Sequence, residues 1–118
     1  VGILSECHAA LVLPGRLNHF PIPVETSDYA AAGLVLLLTH NGELADMVLR
    51  ADAGILTNSQ PEALAAAIAP LATNPQQIAR FRQASRKLAE TFLDREKLAA
   101  KAVVWLESLA ELDPVNPL

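Results

Sequence analysis

The stretch Pro23-Val-Glu-Thr-Ser-Asp28-Tyr29-Ala-Ala-Ala-Gly33-Leu34-Val-Leu-Leu-Leu38-Thr39 decides the fold. Its first half is a short acidic helix, from about Val24 to Ala32, stopped by a glycine. Its second half, Leu34 to Thr39, is a wholly apolar run, as expected of a strand covered on both faces. A helix feeding directly into such a strand is one unit of an alternating α/β chain, with its polar end at the front of the helix.

The flanking sequence repeats that alternation. Upstream, the end of a helix (Val1 to His8) precedes a short apolar strand, Ala9 to Leu13, which stops at the turn signal Pro14-Gly15. Pro21 and Pro23 then keep the approach to the helix extended. Downstream, the polar loop Thr39-His-Asn-Gly-Glu43 leads to a helix over Leu44–Ala51, and Ala53 to Leu56 is a third strand. Pro61 opens a helix at a position that favours proline, with Leu64, Ile68 and Leu71 as its stripe. Asn74-Pro75 ends it and starts another, with Ile78, Phe81, Leu88 and Phe92 on one face. Asp94 caps a last helix with Leu98, Ala102, Trp105, Leu106 and Leu109 inward, Trp105 being either core or buried against a missing neighbour. The expected class is therefore α/β: a partial, Rossmann-like parallel sheet of about three strands flanked by helices, with C-terminal helices packing back. Residues 1–112 read as one domain fragment and 113–118 as a flexible tail.

Composition narrows the function. The 118 residues are 52% hydrophobic and only 4% aromatic, which suits an aliphatic, two-sided sheet core. A net charge of −4 and the absence of a basic run argue against nucleic acid as a partner. No uninterrupted apolar stretch is long enough for a transmembrane segment, and no signal peptide is expected. Cys7 is a lone cysteine, read as a small buried hydrophobe. His8 is read as structural, Tyr29 as core, and Arg80 to Lys87 as a solvated helix face. The histidines are too dispersed for a metal site. Val1 in place of methionine suggests a piece of a longer protein.

In parallel sheets, ligands bind beyond the carboxyl ends of the strands. Two helix N-termini, near Val24 and Leu44, point to that edge and attract anions. Gly42 allows close backbone approach, and Asp28 is placed to accept hydrogen bonds from sugar hydroxyls. The residues thus outline a site for a phosphorylated or hydroxyl-rich small molecule. The competing reading of Asp28 and Glu25 is that of helix carboxylates favoured by the dipole. For His19 and His40 it is that of solvent-exposed loop histidines.

Three segments also resemble a known family. Pro23-x-Glu25-x-x-Asp28-Tyr29-x-Ala31-Ala32-Gly33 is similar to the P-x-K-x-x-E-Y-x-A-A-G segment of the group 1 retaining glycosyltransferases of GT-B fold. Thr39 to Val48 resembles their T-x-x-G-G-x-x-E-[IL]-[VI]. Ala53-Gly-Ile-Leu56 with Gln60 to Ile68 resembles their A-G-L-L-V…D-P-E-A-L-A-x-A-I. The resemblance runs along nearly the whole chain. It implies the C-terminal, donor-binding part of such an enzyme, with a nucleotide-diphosphate sugar as substrate, no cofactor and no metal. Asp28 would hold the ribose, Pro23, Val24 and Glu25 would adjoin the diphosphate, and Gly42, Glu43 and Leu44 would line the sugar side. His19, Phe20 and His40 stand at the mouth.

The resemblance further implies a missing N-terminal acceptor domain, so that this piece alone would not turn over, and a role in glycan or polysaccharide biosynthesis. It implies a cytoplasmic location, with the inner face of the membrane as an option for the full-length protein. Several positions depart from the pattern. Asp28 replaces glutamate, Glu25 stands where lysine is frequent, Phe20 where a first glutamate is frequent, and Glu43 where a second glycine is. A carboxylate ~6 Å from a phosphate charge costs roughly 3 kcal/mol at an effective dielectric of ~20. These departures motivate the alternative of a stand-alone, non-catalytic α/β interaction module. The open edges of a three-strand sheet suggest a homodimer through an exposed edge.

Overall fold

A computed structural model describes residues 2–13 and 22–111. The elements are α1 (Gly2–Ser5), β1 (Ala9–Val12), α2 (Glu25–Ala31), β2 (Val35–Leu38), α3 (Glu43–Arg50), β3 (Gly54–Leu56), α4 (Pro61–Ala72), α5 (Pro75–Phe92) and α6 (Arg95–Glu111). The strands form one parallel sheet in the order β1-β2-β3. Ala9 pairs with Val35 and Val12 with Leu38, while Leu36 pairs with Gly54 and Leu38 with Leu56. The α/β class, the element order and the central place of the Leu34–Leu38 run are as the sequence predicts. The tail at 113–118 lies outside the described residues.

All four residues of β2 are buried, so its two faces feed two separate clusters. Leu36 and Leu38 pack with Val12, Ala30, Leu44, Val48 and Leu88 on one side. Val35 and Leu37 pack with Leu71 and Phe81 on the other. The long helix α5 packs back on the sheet and serves both clusters, Phe81 from its first half and Leu88 and Ala89 from its second.

Two helices hand the chain to the sheet by the same device. At the end of α2, Gly33 N–H donates to Ala30 O and Leu34 N–H to Tyr29 O. Gly33 takes a φ of 67°. This is a Schellman closure, and the left-handed residue it needs is a glycine. At the end of α3, Asp52 N–H donates to Leu49 O and Ala53 N–H to Val48 O. Here an aspartate adopts φ 56°, and its carboxylate meets Arg80 at 2.8 Å.

The basic row of α5 is therefore more than a solvated face, contrary to the sequence reading. Arg82 Nε donates to Gly33 O at 2.8 Å, and Arg86 donates to Ala31 O. Both guanidinium groups reach the carbonyl end of α2, where cations complement the helix dipole. With Arg80 on Asp52, three arginines of one helix fasten the ends of two others.

Other side chains also differ from expectation. Cys7 is half-buried, its Sγ donating to Ile3 O at 3.4 Å, and His8 is exposed. Ile68 and Phe92 are exposed, so only Leu71 of the α4 stripe is fully buried. The largest departure is α6. Asp94 caps it as predicted, accepting from Glu96 N–H at 3.0 Å and Lys97 N–H at 3.2 Å. The Lys97 N–H foremost, aided by the Lys97 ammonium and the Glu96 N–H, holds the Asp94 carboxylate below its ordinary pKa. Yet residues 95–110 are all exposed, including Trp105 at 61%. Periodicity announces that a face wants covering; it does not say that this body supplies the cover. Both faces of the sheet are already occupied by α2, α3, α4 and α5. The described residues consequently extend 62 Å along one axis against 27 and 26 Å along the others.

One buried polar group stands out in α5. Ser85 is fully buried, and its Oγ has no hydrogen-bond partner among the described residues. An unpaired buried hydroxyl is destabilising, and alanine is the better helix former. Ser85→Ala is expected to stabilise the fold by about 1 kcal/mol, read as a higher urea midpoint at unchanged slope. A lower midpoint would mean that the hydroxyl is satisfied in solution.

Candidate functional site

The carboxyl ends of the strands lie at Val12, Leu38 and Leu56. The connections β2–α3 and Ile22–Val24 open on this edge, because a right-handed crossover returns each helix to begin where its preceding strand ended. A cavity of about 690 Å³ forms here, between the approach to α2, the front of α3 and the corner where α5 meets α6. Pro23, Val24 and Ser27 line it from one side, Glu43 and Met47 from the second, and Phe92 from the third. A second cavity of about 580 Å³ adjoins it through Glu43, Met47 and Phe92 and reaches Gly42, Asp46 and Arg50. The two make one trough along α3.

The front of α3 has a specific geometry. Gly42 is its N-cap residue, with φ 144° and ψ −173° and no side chain on the first-turn amides. That backbone conformation is essentially confined to glycine. A methyl group added there would meet nothing within 4 Å. These N–H groups at a helix front form a binding point for an anion or a sugar oxygen. Close by, Thr39 Oγ1 and His40 Nδ1 are 3.1 Å apart.

Electrostatics at this edge are mixed. Glu25 and Asp28 occupy the first turn of α2, and Glu43 and Asp46 that of α3. Arg50 and Arg95 supply the opposite charge at the two ends of the trough. Carboxylates at the mouth suit hydroxyl donors such as ribose. Backbone amides and the two arginines are the groups at this edge suited to an anion.

Of the residues singled out from sequence, Pro23, Val24 and Glu43 come together in one cavity, with Gly42 and Glu43 in the adjoining one. Glu25, Asp28 and His40 are exposed at the same edge but line neither. Leu44 is buried in the core beside Val48 and lines neither cavity. His19 and Phe20 lie outside the described residues. The sequence reading overlooked Ser27, Met47, Phe92 and Arg95. Phe92 was assignable only to an apolar helix face. Its place immediately before the Leu93-Asp94 corner was the available hint that it ends at a rim. Among the described residues no cluster of side chains is arranged to hold a metal ion, and no helix is long and apolar enough to cross a membrane.

No protein-family model, no curated protein and no solved structure matches the chain.

Proposed function

We propose that this chain is the donor-binding part of a GT-B retaining glycosyltransferase and takes a nucleotide-diphosphate sugar in the trough at the carboxyl edge of its sheet. The observation that carries the reading is the uncapped front of α3. Gly42 leaves its first-turn amides open beside a cavity that also gathers Pro23, Val24 and Glu43. In this reading those amides donate hydrogen bonds to the diphosphate or donor-sugar oxygens. Asp28 takes the ribose hydroxyls, as the resemblance of its segment implies. Arg50 and Arg95 offset part of the acidic charge around the phosphates. The acceptor and the remaining catalytic groups come from an N-terminal domain, so the chain alone binds donor without transferring sugar. The setting is the cytoplasm and the product a glycan or polysaccharide.

Calorimetric titration with uridine and guanosine diphosphates tests the reading. We expect millimolar binding of at least one nucleotide, weakened roughly tenfold or more by Asp28→Ala, as for loss of a charge-assisted hydrogen bond. Binding that Asp28→Ala leaves intact contradicts the role of that carboxylate.

A second reading rests on the four carboxylates Glu25, Asp28, Glu43 and Asp46 at the same edge. Their charge favours a non-catalytic α/β module that keeps the fold and binds no nucleotide. Absence of heat with every nucleotide supports this second reading against the first.

A further inference from the structure

Asparagine is followed by glycine once in the chain, at Asn41-Gly42. The pair lies in the loop between β2 and α3, outside both elements. Asn41, Asn58 and Asn74 are the asparagines among the described residues, and all of them are exposed. Two are tied down. Asn58 Oδ1 accepts from Gln60 N–H at 2.9 Å, and Asn74 Oδ1 accepts from Gln77 N–H at 3.0 Å. Among the described residues, neither the Asn41 side chain nor the Gly42 N–H makes a hydrogen bond.

We propose that Asn41 is a site of spontaneous deamidation, converting with age to aspartate and isoaspartate at the front of α3. The Gly42 nitrogen loses its proton to hydroxide and attacks Asn41 Cγ. The N–Cγ bond forms and the Cγ–Nδ2 bond breaks. Nδ2 takes a proton from water and leaves as ammonia, and the product is a five-membered succinimide. Water then opens the ring at Cγ, giving aspartate, or at the main-chain carbonyl carbon, giving isoaspartate with the chain rerouted through Cβ and Cγ. No electrons are transferred, and water is the only co-reactant. Glycine suits the step because no Cβ shields the attacking nitrogen. Nothing packs within 4 Å of where a Gly42 Cβ would stand. The other two asparagines are hindered as well as tied. Ser59 carries a side chain beside its nitrogen, and Pro75 has no N–H.

Either product adds one negative charge to a chain of net −4, just ahead of Glu43 and Asp46 in the first turn of α3. The new carboxylate is attracted to the helix front by its dipole and repels any other anion there. The modification itself does not depend on nucleotide binding, whereas its weakening of a bound diphosphate rests on that reading of the site.

Peptide mapping by mass spectrometry tests it on the folded chain, incubated over weeks at physiological temperature and mildly alkaline pH. Asn41 is expected to gain about one mass unit, with isoaspartate exceeding aspartate, at a rate roughly tenfold or more above that of Asn58 or Asn74. Asn41→Gln is expected to remove the signal. An Asn41 that stays intact, or that converts at a rate comparable to Asn58, overturns the proposal. Conversion in urea but not in the folded chain overturns it too, because the folded loop then keeps Cγ away from the Gly42 nitrogen. A second arm reads the consequence for the site. Asn41→Asp reproduces the added charge and is expected to bind uridine diphosphate several-fold more weakly than the unaltered chain. Equal affinity refutes the electrostatic consequence. Binding by neither chain refutes the nucleotide reading and leaves the mapping result to decide the modification.

Discussion

Gly54→Ala is expected to destabilise the fold by about 3 kcal/mol or more, at or beyond the upper end of overpacking costs. A Cβ at this position would lie 1.9 Å from Leu36 O, 2.7 Å from Leu36 C and 3.0 Å from Leu36 Cα. All three are backbone atoms of the central strand. Leu36 is fixed on both sides, paired with Ala10 of β1 and with Gly54 itself. It cannot step aside as a flexible side chain would. Relief requires β3 to leave β2, which breaks the pairing Leu36–Leu38 with Gly54–Leu56 and loosens the α3–β3 turn. Domains of this size are stable by only ~5–15 kcal/mol, so the loss is a large share of the total. Chemical denaturation followed by circular dichroism measures it. A midpoint equal to that of the unaltered chain would contradict the close approach of β3 to β2.

Leu36→Ala, the second large effect, acts by the opposite route. Leu36 is fully buried and belongs to the cluster formed with Ala30, Val48 and Leu88. Truncation removes apolar contact and leaves a space that the sheet cannot close, because the pairing on both sides holds the strand in place. The expected cost is about 2–5 kcal/mol, again from the denaturation midpoint. Leu11→Ala serves as the control. Leu11 sits on β1 and is 39% exposed, so its truncation should cost well under half as much. Equal costs would contradict the assignment of β2 as the two-sided centre of the core.

The centre of the molecule was legible in the sequence for physical reasons. An apolar run with no alternation, entered through a glycine from a short helix, has few solutions besides a buried parallel strand. Pro61 and Pro75 marked helix starts, and Asp94 a cap, because each satisfies a local backbone requirement. The tertiary uses of side chains were hidden. Arg82 and Arg86 cap α2 from positions 49 and 55 residues away, and nothing in their own neighbourhood announces it. Asp52 in a left-handed conformation was invisible for the same reason. Helix α6 shows the limit most clearly. Its stripe Leu98, Ala102, Trp105, Leu106 and Leu109 was read as inward, and all five residues are exposed.

The site was legible in part. Pro23, Val24, Gly42 and Glu43 were drawn to one edge by topology alone, since parallel crossovers bring helix fronts to the carboxyl ends of strands. Met47 joins them one turn past Glu43 on α3, while Phe92 and Arg95 join through the angle at the α5–α6 corner, which a single sequence does not encode in any local pattern.

The uncapped front of α3, at the carboxyl edge of the sheet, is the proposed seat of a nucleotide diphosphate. Titration of the isotopically labelled chain with uridine or guanosine diphosphate, followed by backbone amide shifts, tests it most directly. The largest shifts are expected on the amides of Gly42, Glu43 and Leu44, with smaller ones from Val24 to Asp28. Shifts confined to the opposite edge of the sheet, or none at saturating nucleotide, would contradict it.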